Sequence, residues 1–208
     1  PYSVYKMPFC ERQLLYADTL YGKSNSLRQF IAKGMTTHAE SMRAEIEFAR
    51  ANPACGGFMN WMYSDIWPSA TWAVVDYYCE PKQAYYQMKR SYAPVVVTFV
   101  QNEQKQLQLV LLVDGLQSVA VNVNYGMRAL DGRTLWQRNA TLSAEGGGAD
   151  TVDMENDYNA PDSYLFAEYD LNGTRHGTVF SYDMWHACHF TSDYTYKVDK
   201  LADCYAVT

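Results

Sequence analysis

The spacing of apolar residues along the chain changes near Pro94. Before Pro94, apolar positions recur every three or four residues, the period of an amphipathic helix. One such face runs from Ala39 to Ala49, and Thr37 and Glu40 have the spacing of a capping box, so we predict a helix that begins at Thr37 and ends before Pro53. Four charged residues fall on the opposite face of this helix: Glu40, Arg43, Glu47 and Arg50.

A buried strand, a long loop and a second helix are predicted next. Residues 57–62 are mostly apolar and lie between glycines and a polar loop, the pattern of a buried parallel strand. Pro81 stands where a first helical turn would begin, and an apolar face continues until Pro94. That face is formed by Tyr85, Met88 and Tyr92. Four charged residues are interpreted as the solvated face of the same helix: Glu80, Lys82, Lys89 and Arg90.

After Pro94 the apolar period falls to two, which is typical of strands. The predicted strands cover residues 95–100, 107–113, 119–125, 163–171, 177–183 and 194–207. Asp114-Gly115 and Asp131-Gly132 mark turns between apolar runs, and residues 146–148 are a glycine loop. About seven short strands predict an all-β immunoglobulin-like sandwich over residues 94–208.

Composition narrows the class of protein and its partners. Of the 208 residues, 48% are hydrophobic and 19% are charged, which is enough apolar sequence for a large core. A formal net charge of -6 with interspersed signs argues against nucleic acid as a partner, and no apolar run approaches the roughly 20 residues needed to cross a membrane. Pro1 in place of Met predicts a chain that begins inside a longer polypeptide. Five widely spaced cysteines, an odd number, are interpreted mainly as buried thiols: Cys10, Cys55, Cys79, Cys188 and Cys204.

Candidate chemistry is concentrated between residues 56 and 94. Three of the five tryptophans lie there beside carboxylates, just after the predicted strand. Aromatic faces next to fixed hydrogen-bond acceptors suit a sugar ring, because its C–H face stacks while its hydroxyls need polar partners. The pattern therefore indicates carbohydrate chemistry.

The same stretch carries a resemblance to a known family. The residues concerned are Trp61-Met62-Tyr63-Ser64-Asp65-Ile66-Trp67-Pro68, Trp72, Asp76-Tyr77-Tyr78, Pro81-Lys82, Tyr85-Tyr86, Lys89-Arg90 and Ala93-Pro94. They resemble the end of the catalytic barrel in glycoside hydrolase family 2, most closely its β-mannosidase and exo-β-glucosaminidase branches. The resemblance implies an α/β segment over residues 1–93, formed by the last strand and helices of a (β/α)8 barrel, followed by the sandwich. Ser64 departs from the family pattern, which often has Asn at that position.

The resemblance implies retaining hydrolysis of β-linked sugars, most of all β-mannosides, by two glutamates on barrel strands 4 and 7. Neither glutamate's motif occurs in this chain, and only 93 residues precede Pro94, whereas a complete barrel takes roughly 250. We therefore expect no catalytic residue, metal or cofactor in the chain, and no activity of the chain alone. The expected partners are a β-linked oligosaccharide or glycoside and the upstream domains of the same polypeptide.

Three residues are predicted to form one wall of the sugar site. By resemblance, Trp61 forms its floor with a cis peptide bond to Met62, Asp65 accepts a hydrogen bond from a sugar hydroxyl or orients the loop, and Trp67 packs beneath it. Each has a plainer alternative, since Trp61 and Trp67 are also suited to core packing and Asp65 to capping the turn before Trp67. Asp76 is predicted to order the loop and not to touch a ligand.

Other features leave alternatives open. His186-Ala187-Cys188-His189, with His176 and Cys204 nearby, lacks the paired spacing of a structural zinc site. The sandwich is either a carbohydrate-binding module or a structural spacer. The candidates for a binding module are Tyr158, Tyr164, Tyr169, Tyr182, Trp185, Tyr194 and Tyr196. Without its barrel neighbours, the segment 57–62 is predicted to expose an apolar patch and to cause self-association.

Overall fold

The computed structural model describes residues 9–154, 160–181, 184–189, 197–200 and 205–207. Within these residues, three α-helices precede Pro94: α1 (Phe9–Tyr21), α2 (Leu27–Ala51) and α3 (Gln83–Ser91). A single 3-10 turn lies at Trp185–Ala187. None of the helices in this described part combines the length and apolar character needed to span a bilayer.

Helix α2 begins earlier than the sequence predicts. Its N-cap is Ser26, whose side-chain oxygen accepts a hydrogen bond from the backbone N–H of Gln29 at 3.2 Å. Thr37 lies inside the helix, where its hydroxyl donates to the carbonyl of Lys33 at 2.8 Å. The prediction of a helix start at Thr37 is wrong, because a threonine within a helix can satisfy its hydroxyl on the preceding turn.

The predicted strand over residues 57–62 is not formed. The side chains alternate instead between half-buried and exposed positions, with Phe58 half-buried and Met59 and Trp61 94% and 80% exposed. A β-strand is defined by its hydrogen bonds to a neighbouring strand, and no strand in the described residues pairs with this segment. The predicted exposure of an apolar patch is confirmed.

Helices α2 and α3 enclose a small apolar core together with the loop between them. Its buried members are Met42, Ile46, Val74 and Ala84, with Phe58, Val75, Tyr85 and Met88 packed against them. Helix α3 begins two residues after Pro81, with Lys82 as its N-cap residue. Tyr92, predicted on the apolar face, is the C-cap residue and is 38% exposed. The predicted second helix is confirmed. It ends at Ser91, and the backbone N–H of the next residue, Tyr92, donates to the carbonyls of Met88 and Arg90.

Seven strands of the described region form two antiparallel sheets, one in the order β1-β2-β5 and the other in the order β4-β3-β6-β7. The strands are β1 (Val95–Gln101), β2 (Leu107–Val113), β3 (Val119–Ala129), β4 (Thr134–Ala144), β5 (Ala149–Asp153), β6 (Ser163–Leu171) and β7 (Thr174–Phe180). Two short strands, β8 (Val198–Lys200) and β9 (Tyr205–Val207), pair with each other. They fall in the range 194–207 that was predicted as one strand, of which residues 194–196 and 201–204 lie outside the described residues.

Strand positions agree with the sequence pattern in most places. The predicted strands 107–113 and 163–171 are β2 and β6, and the predicted turns at Asp114-Gly115 and Asp131-Gly132 connect β2 to β3 and β3 to β4. The strand predicted over 177–183 begins earlier, at Thr174, because Asn172 and Gly173 adopt positive φ and form a tight turn directly after β6. Strands β4 and β5 lie outside the predicted strand ranges.

The first sheet is buried on both faces. One face packs on the second sheet around a core that includes Leu109, Leu111, Val123, Met127 and Leu165. The other face packs against the end of α2 and the residues after α3, through Val96, Val100, Val110 and Leu112 with Ala51 and Ala93. Because β1 has apolar neighbours on both sides, its sequence is almost continuously apolar.

The interpretation of the cysteines as buried thiols is wrong for two of them. Cys55 and Cys79 are exposed, and Cys188 is half-buried. Cys55 follows the end of α2 and Cys79 lies in the loop before α3, two surface connections with no apolar layer above them. The side chains of Cys10 and Cys204 lie outside the described residues.

Candidate functional site

The aromatic loop, residues 61–81, is held together by backbone hydrogen bonds between its two limbs. The carbonyl of Tyr63 accepts from the N–H groups of Val74 at 3.1 Å and Val75 at 2.9 Å, and Asp65 N donates to Val75 O at 3.0 Å. The N–H of Lys82 then donates to Val74 O at 2.9 Å. These bonds fix the aromatic loop against the start of α3.

Asp65 is the buried centre of this loop. Its side chain is 2% exposed, one oxygen accepts from the Thr71 hydroxyl, and Oδ2 lies 2.8 Å from Nζ of Lys82. Both carboxylate oxygens therefore have partners in the chain, a geometry that favours loop orientation over contact with a sugar hydroxyl. The prediction that Lys82 lies on a solvated face is wrong. Its ammonium reaches the buried carboxylate of Asp65, and its side chain is 18% exposed.

His38 on α2 faces the same group of residues. Its ring is hydrogen-bonded to the backbone of Trp72, while its Nε2 is buried and has no hydrogen-bond partner among the described residues. Burial, and then the nearby Lys82 ammonium, lower the pKa of His38 below its ordinary value of 6.5, against smaller opposing effects of Trp72 and Asp65. A neutral imidazole is therefore favoured beneath the aromatic loop. The sequence pattern did not single out His38.

The tryptophans named from the sequence differ in exposure. Trp61 is 80% exposed, Trp67 is 45% exposed and Trp72 is half-buried. The peptide bond between Trp61 and Met62 is cis, as the resemblance implies. Other exposed apolar side chains lie on or next to the aromatic loop: Met59, Tyr63, Ile66, Tyr77, Tyr78 and Tyr86. The assignment of Trp61, Asp65 and Trp67 to a sugar site stays a prediction.

Asp76 orders the end of the aromatic loop, as predicted. Its Oδ1 accepts hydrogen bonds from the backbone N–H groups of Tyr78 at 2.8 Å and Glu80 at 2.9 Å. The rings of Tyr77 and Tyr78 meet edge to face with centroids 5.3 Å apart. The turn therefore presents two adjacent aromatic rings at the surface.

Glu47 is a buried polar residue that the sequence pattern misplaced. It is 5% exposed, and its carboxylate accepts hydrogen bonds from the hydroxyls of Ser91 at 2.7 Å and Thr98 at 2.5 Å. The face of α2 opposite its apolar stripe is therefore covered at its C-terminal end by the first sheet. The signal that could have revealed this cover was the continuous apolar run of β1, which requires a layer on both sides.

The histidines named from the sequence lie at separate places. Nδ1 of His189 is 3.1 Å from Oδ2 of Asp162, Nδ1 of His186 is 3.4 Å from the carbonyl of Leu20, and the ring of His176 stacks on Tyr169. Among the residues that the structure describes, no three metal-ligating side chains lie close enough to share an ion.

The candidate residues for a carbohydrate-binding module are only partly described. Tyr169 is 7% exposed, and its hydroxyl accepts a hydrogen bond from Val97 N across the two sheets at 3.3 Å. Tyr164 and Trp185 are half-buried. None of these three forms an exposed platform, and the other four lie outside the described residues: Tyr158, Tyr182, Tyr194 and Tyr196.

A cavity of about 1140 Å³ lies away from the aromatic loop, between the helices and the edges of β1 and β7. Arg43, Glu47, Val97 and Tyr169 are among the residues that line it. Arg43 is paired with Glu40 at 2.8 Å, and Glu47 is bonded to two hydroxyls. These charged groups are therefore already satisfied inside the chain.

Comparison with known proteins gives two kinds of likeness. No protein-family model matches the chain. The chain is 49% identical over 43 residues to "Beta-mannosidase B" of Thermothelomyces thermophilus and, over an equal length, to that of Aspergillus niger. Each match covers 21% of this chain and 5% of the relative's own length.

Solved structures resemble a much larger share of the chain. The β-D-mannosidase of Dictyoglomus thermophilum has a TM-score of 0.75 at 16% identity, covering 86% of this chain and 23% of that protein. The exo-chitosanase of Amycolatopsis orientalis has a TM-score of 0.68 at 20% identity, covering 81% of this chain and 21% of that protein. Together these likenesses confirm the resemblance to glycoside hydrolase family 2 that the aromatic loop and the residues after it predict.

Proposed function

We propose that this chain is the C-terminal part of a retaining glycoside hydrolase that cleaves β-linked sugars, and that it supplies one wall of the sugar site. Residues 1–93 would complete a (β/α)8 barrel and residues 94–208 would form an immunoglobulin-like sandwich beside it. β-Mannosides are the first substrates to test, because both the relatives in sequence and one of the structural neighbours are β-mannosidases.

The observation that carries the proposal is the exposed indole of Trp61 on a loop held by internal hydrogen bonds. Trp61 is 80% exposed, while the backbone two residues later accepts two hydrogen bonds and Asp65 beyond it is buried. A large apolar surface on a fixed loop supports a role in ligand contact or in contact with the rest of the protein. A sugar ring stacked on the indole would use this surface, and Trp67 would flank it.

Catalysis would depend on residues outside this chain. A retaining glycosidase holds two carboxyl groups roughly 5–5.5 Å apart, one as the acid/base and one as the nucleophile. The two most buried carboxylates of the described chain, Glu47 and Asp65, are already bonded to hydroxyl groups and an ammonium. We therefore propose that the chain alone hydrolyses nothing and that it orients the substrate for carboxylates located elsewhere in the polypeptide.

The sandwich is proposed to be a structural spacer, with a carbohydrate-binding module as the alternative. The first sheet is bound to the helical layer through Val96, Val100 and the Glu47–Thr98 hydrogen bond. This apolar and polar contact with the helices favours the structural spacer over the binding module. Tyr164 and Trp185 are half-buried, so in the described chain they offer little exposed aromatic surface for a carbohydrate-binding module.

The proposal is tested by extending the reading frame upstream of Pro1 and assaying the product beside the 208-residue chain. The substrates are aryl β-mannoside, β-glucosaminide and β-galactoside. We expect the longer polypeptide to cleave one of them, β-mannoside first, and the short chain to cleave none. Hydrolysis by the short chain, or an upstream frame without a barrel, would overturn the proposal. Sugar binding without hydrolysis would favour the module.

A further inference from the structure

Lys82 connects both limbs of the aromatic loop to helix α3. Its ammonium lies 2.8 Å from Oδ2 of Asp65 in the first limb and 3.5 Å from the carbonyl of Thr71 in the loop's return. Its backbone N–H donates to Val74 O at 2.9 Å, and Lys82 is itself the N-cap residue of α3. One residue therefore joins three parts of the chain.

The ion pair has the burial that makes its partners depend on each other. The side chain of Asp65 is 2% exposed and that of Lys82 is 18% exposed. Removing one partner from such a pair leaves the other charge buried and uncompensated, which is strongly unfavourable. Within the described part of the chain, the Asp65 carboxylate has one further hydrogen-bond partner, the hydroxyl of Thr71, whose oxygen in turn accepts from Ala73 N at 3.1 Å. These groups form one hydrogen-bonded network that ends at Lys82.

The network acts on the backbone that carries Trp61. Only three residues separate Trp61 from Asp65, and between them the carbonyl of Tyr63 accepts from Val74 and Val75. The ring of Tyr63 also meets the ring of Tyr85 on α3 edge to face, with centroids 6.4 Å apart. A change in the Asp65–Lys82 pair would therefore shift the short backbone segment that sets the direction of the indole.

We propose that Lys82 is a positioning residue for the sugar site: it fixes the aromatic loop on α3 and so sets the orientation of Trp61 toward a bound β-linked sugar. The part of this inference that concerns sugar rests on the proposed function. The part that concerns the loop does not, because it follows from contacts within the chain.

The test uses the longer polypeptide with Lys82→Met, which removes the ammonium but keeps an unbranched side chain. Lys82→Arg retains the charge, and Lys89→Met changes an exposed lysine of the same helix as a matched control. Two experiments are done on each variant: hydrogen exchange of peptides covering residues 61–76, and steady-state kinetics, giving kcat and KM, on the aryl glycoside that the unaltered protein cleaves. Thermal unfolding and exchange of peptides from β2 and β6 report on the rest of the fold.

We expect Lys82→Met to raise exchange in residues 61–76 by about tenfold or more and to lower kcat/KM by a similar factor, with exchange in β2 and β6 unchanged. Lys82→Arg should recover part of both losses, and Lys89→Met should change neither. Unchanged exchange in residues 61–76 for Lys82→Met overturns the inference, as does faster exchange with unaltered kcat/KM. If the unaltered polypeptide cleaves no glycoside, the proposed function and the positioning role both fail, while exchange still decides whether Lys82 fixes the loop.

Discussion

Oε2 of Glu47 on α2 lies 2.5 Å from Oγ1 of Thr98 on β1. The other oxygen of the same carboxylate accepts from Ser91 at the end of α3, so one side chain connects two helices and a sheet. All three residues are buried. This contact joins the helical layer to the two packed sheets.

Glu47→Ala is expected to destabilise the protein by about 2–4 kcal/mol, because two buried hydroxyls lose their acceptor and a cavity remains. Glu47→Gln should cost less, about 1–2 kcal/mol, since the amide oxygen still accepts from one hydroxyl while the amide NH2 cannot accept from the other. Denaturant-induced unfolding measures both changes. Glu45→Ala, at an exposed position of the same helix, is the matched control and should stay within about 0.5 kcal/mol. Equal effects of Glu47→Ala and Glu45→Ala would contradict this account.

Trp61→Ala in the longer polypeptide is expected to lower kcat/KM on the cleaved aryl glycoside at least tenfold, because the proposed stacking surface for the sugar ring is removed. The thermal midpoint should change little, since an indole that is 80% exposed contributes little packing within this chain. Initial rates and a thermal scan of the same preparation provide both measurements. Leu116→Ala, at a fully exposed residue between β2 and β3, serves as the control. A lower thermal midpoint with full activity would identify Trp61 as a packing residue.

His38 should make stability depend on pH. Its pKa is lower in the folded chain than its ordinary value of 6.5, so between these two pKa values the unfolded chain binds more protons. The free energy of unfolding is therefore expected to be highest above about pH 6.5 and to fall as pH is lowered toward the folded pKa. Below that value, His38 adds no further slope.

Denaturant unfolding at a series of pH values between about 5 and 7.5 measures this dependence. His38→Gln should flatten the curve in that window. Leu116→Ala, at a fully exposed residue that does not titrate, should leave the slope as it was. Identical slopes in the unaltered protein and the His38→Gln variant would show that His38 is not the group responsible.

The 208-residue chain alone is expected to self-associate, because Met59, Trp61 and Ile66, which are close in sequence, are 94%, 80% and 69% exposed. Sedimentation velocity at increasing concentration measures the association. Met59→Ser combined with Ile66→Ser should weaken it, and Leu135→Ser, an exposed leucine on β4, should not. A chain that sediments as a monomer at about 100 μM would contradict this expectation.

The sequence located most elements because their periods are local properties. Strand β6 places Leu165, Ala167 and Tyr169 in the core at every second position, so its limits could be predicted from the pattern alone. Residues 57–62 failed as a strand because pairing requires a neighbouring strand, which the described residues do not supply. The prediction of Thr37 as a helix cap was wrong because the capping-box spacing between Thr37 and Glu40 also occurs within helices.

The candidate site was predictable in its aromatic residues but not in its polar network. Trp61 and Asp65 could be named from a contiguous motif. The roles of Lys82 and His38 could not be predicted, because 17 positions separate Lys82 from Asp65 and His38 reaches the loop from another helix. Glu47 was misplaced for a similar reason, since helical periodicity identifies which residues share a face but not which layer covers that face.

The burial of the first sheet on both sides has a consequence for protein engineering. A cut between residues 93 and 94 follows the change in sequence period, yet it would uncover Val96, Val100, Val110 and Leu112 on one side and leave Glu47 facing water on the other. Exchange of the two packed sheets between homologous chains would therefore need the last two turns of α2 and the end of α3 to be exchanged with them. The segment that must be exchanged as one piece is therefore larger than the all-β part that begins at the change in apolar period.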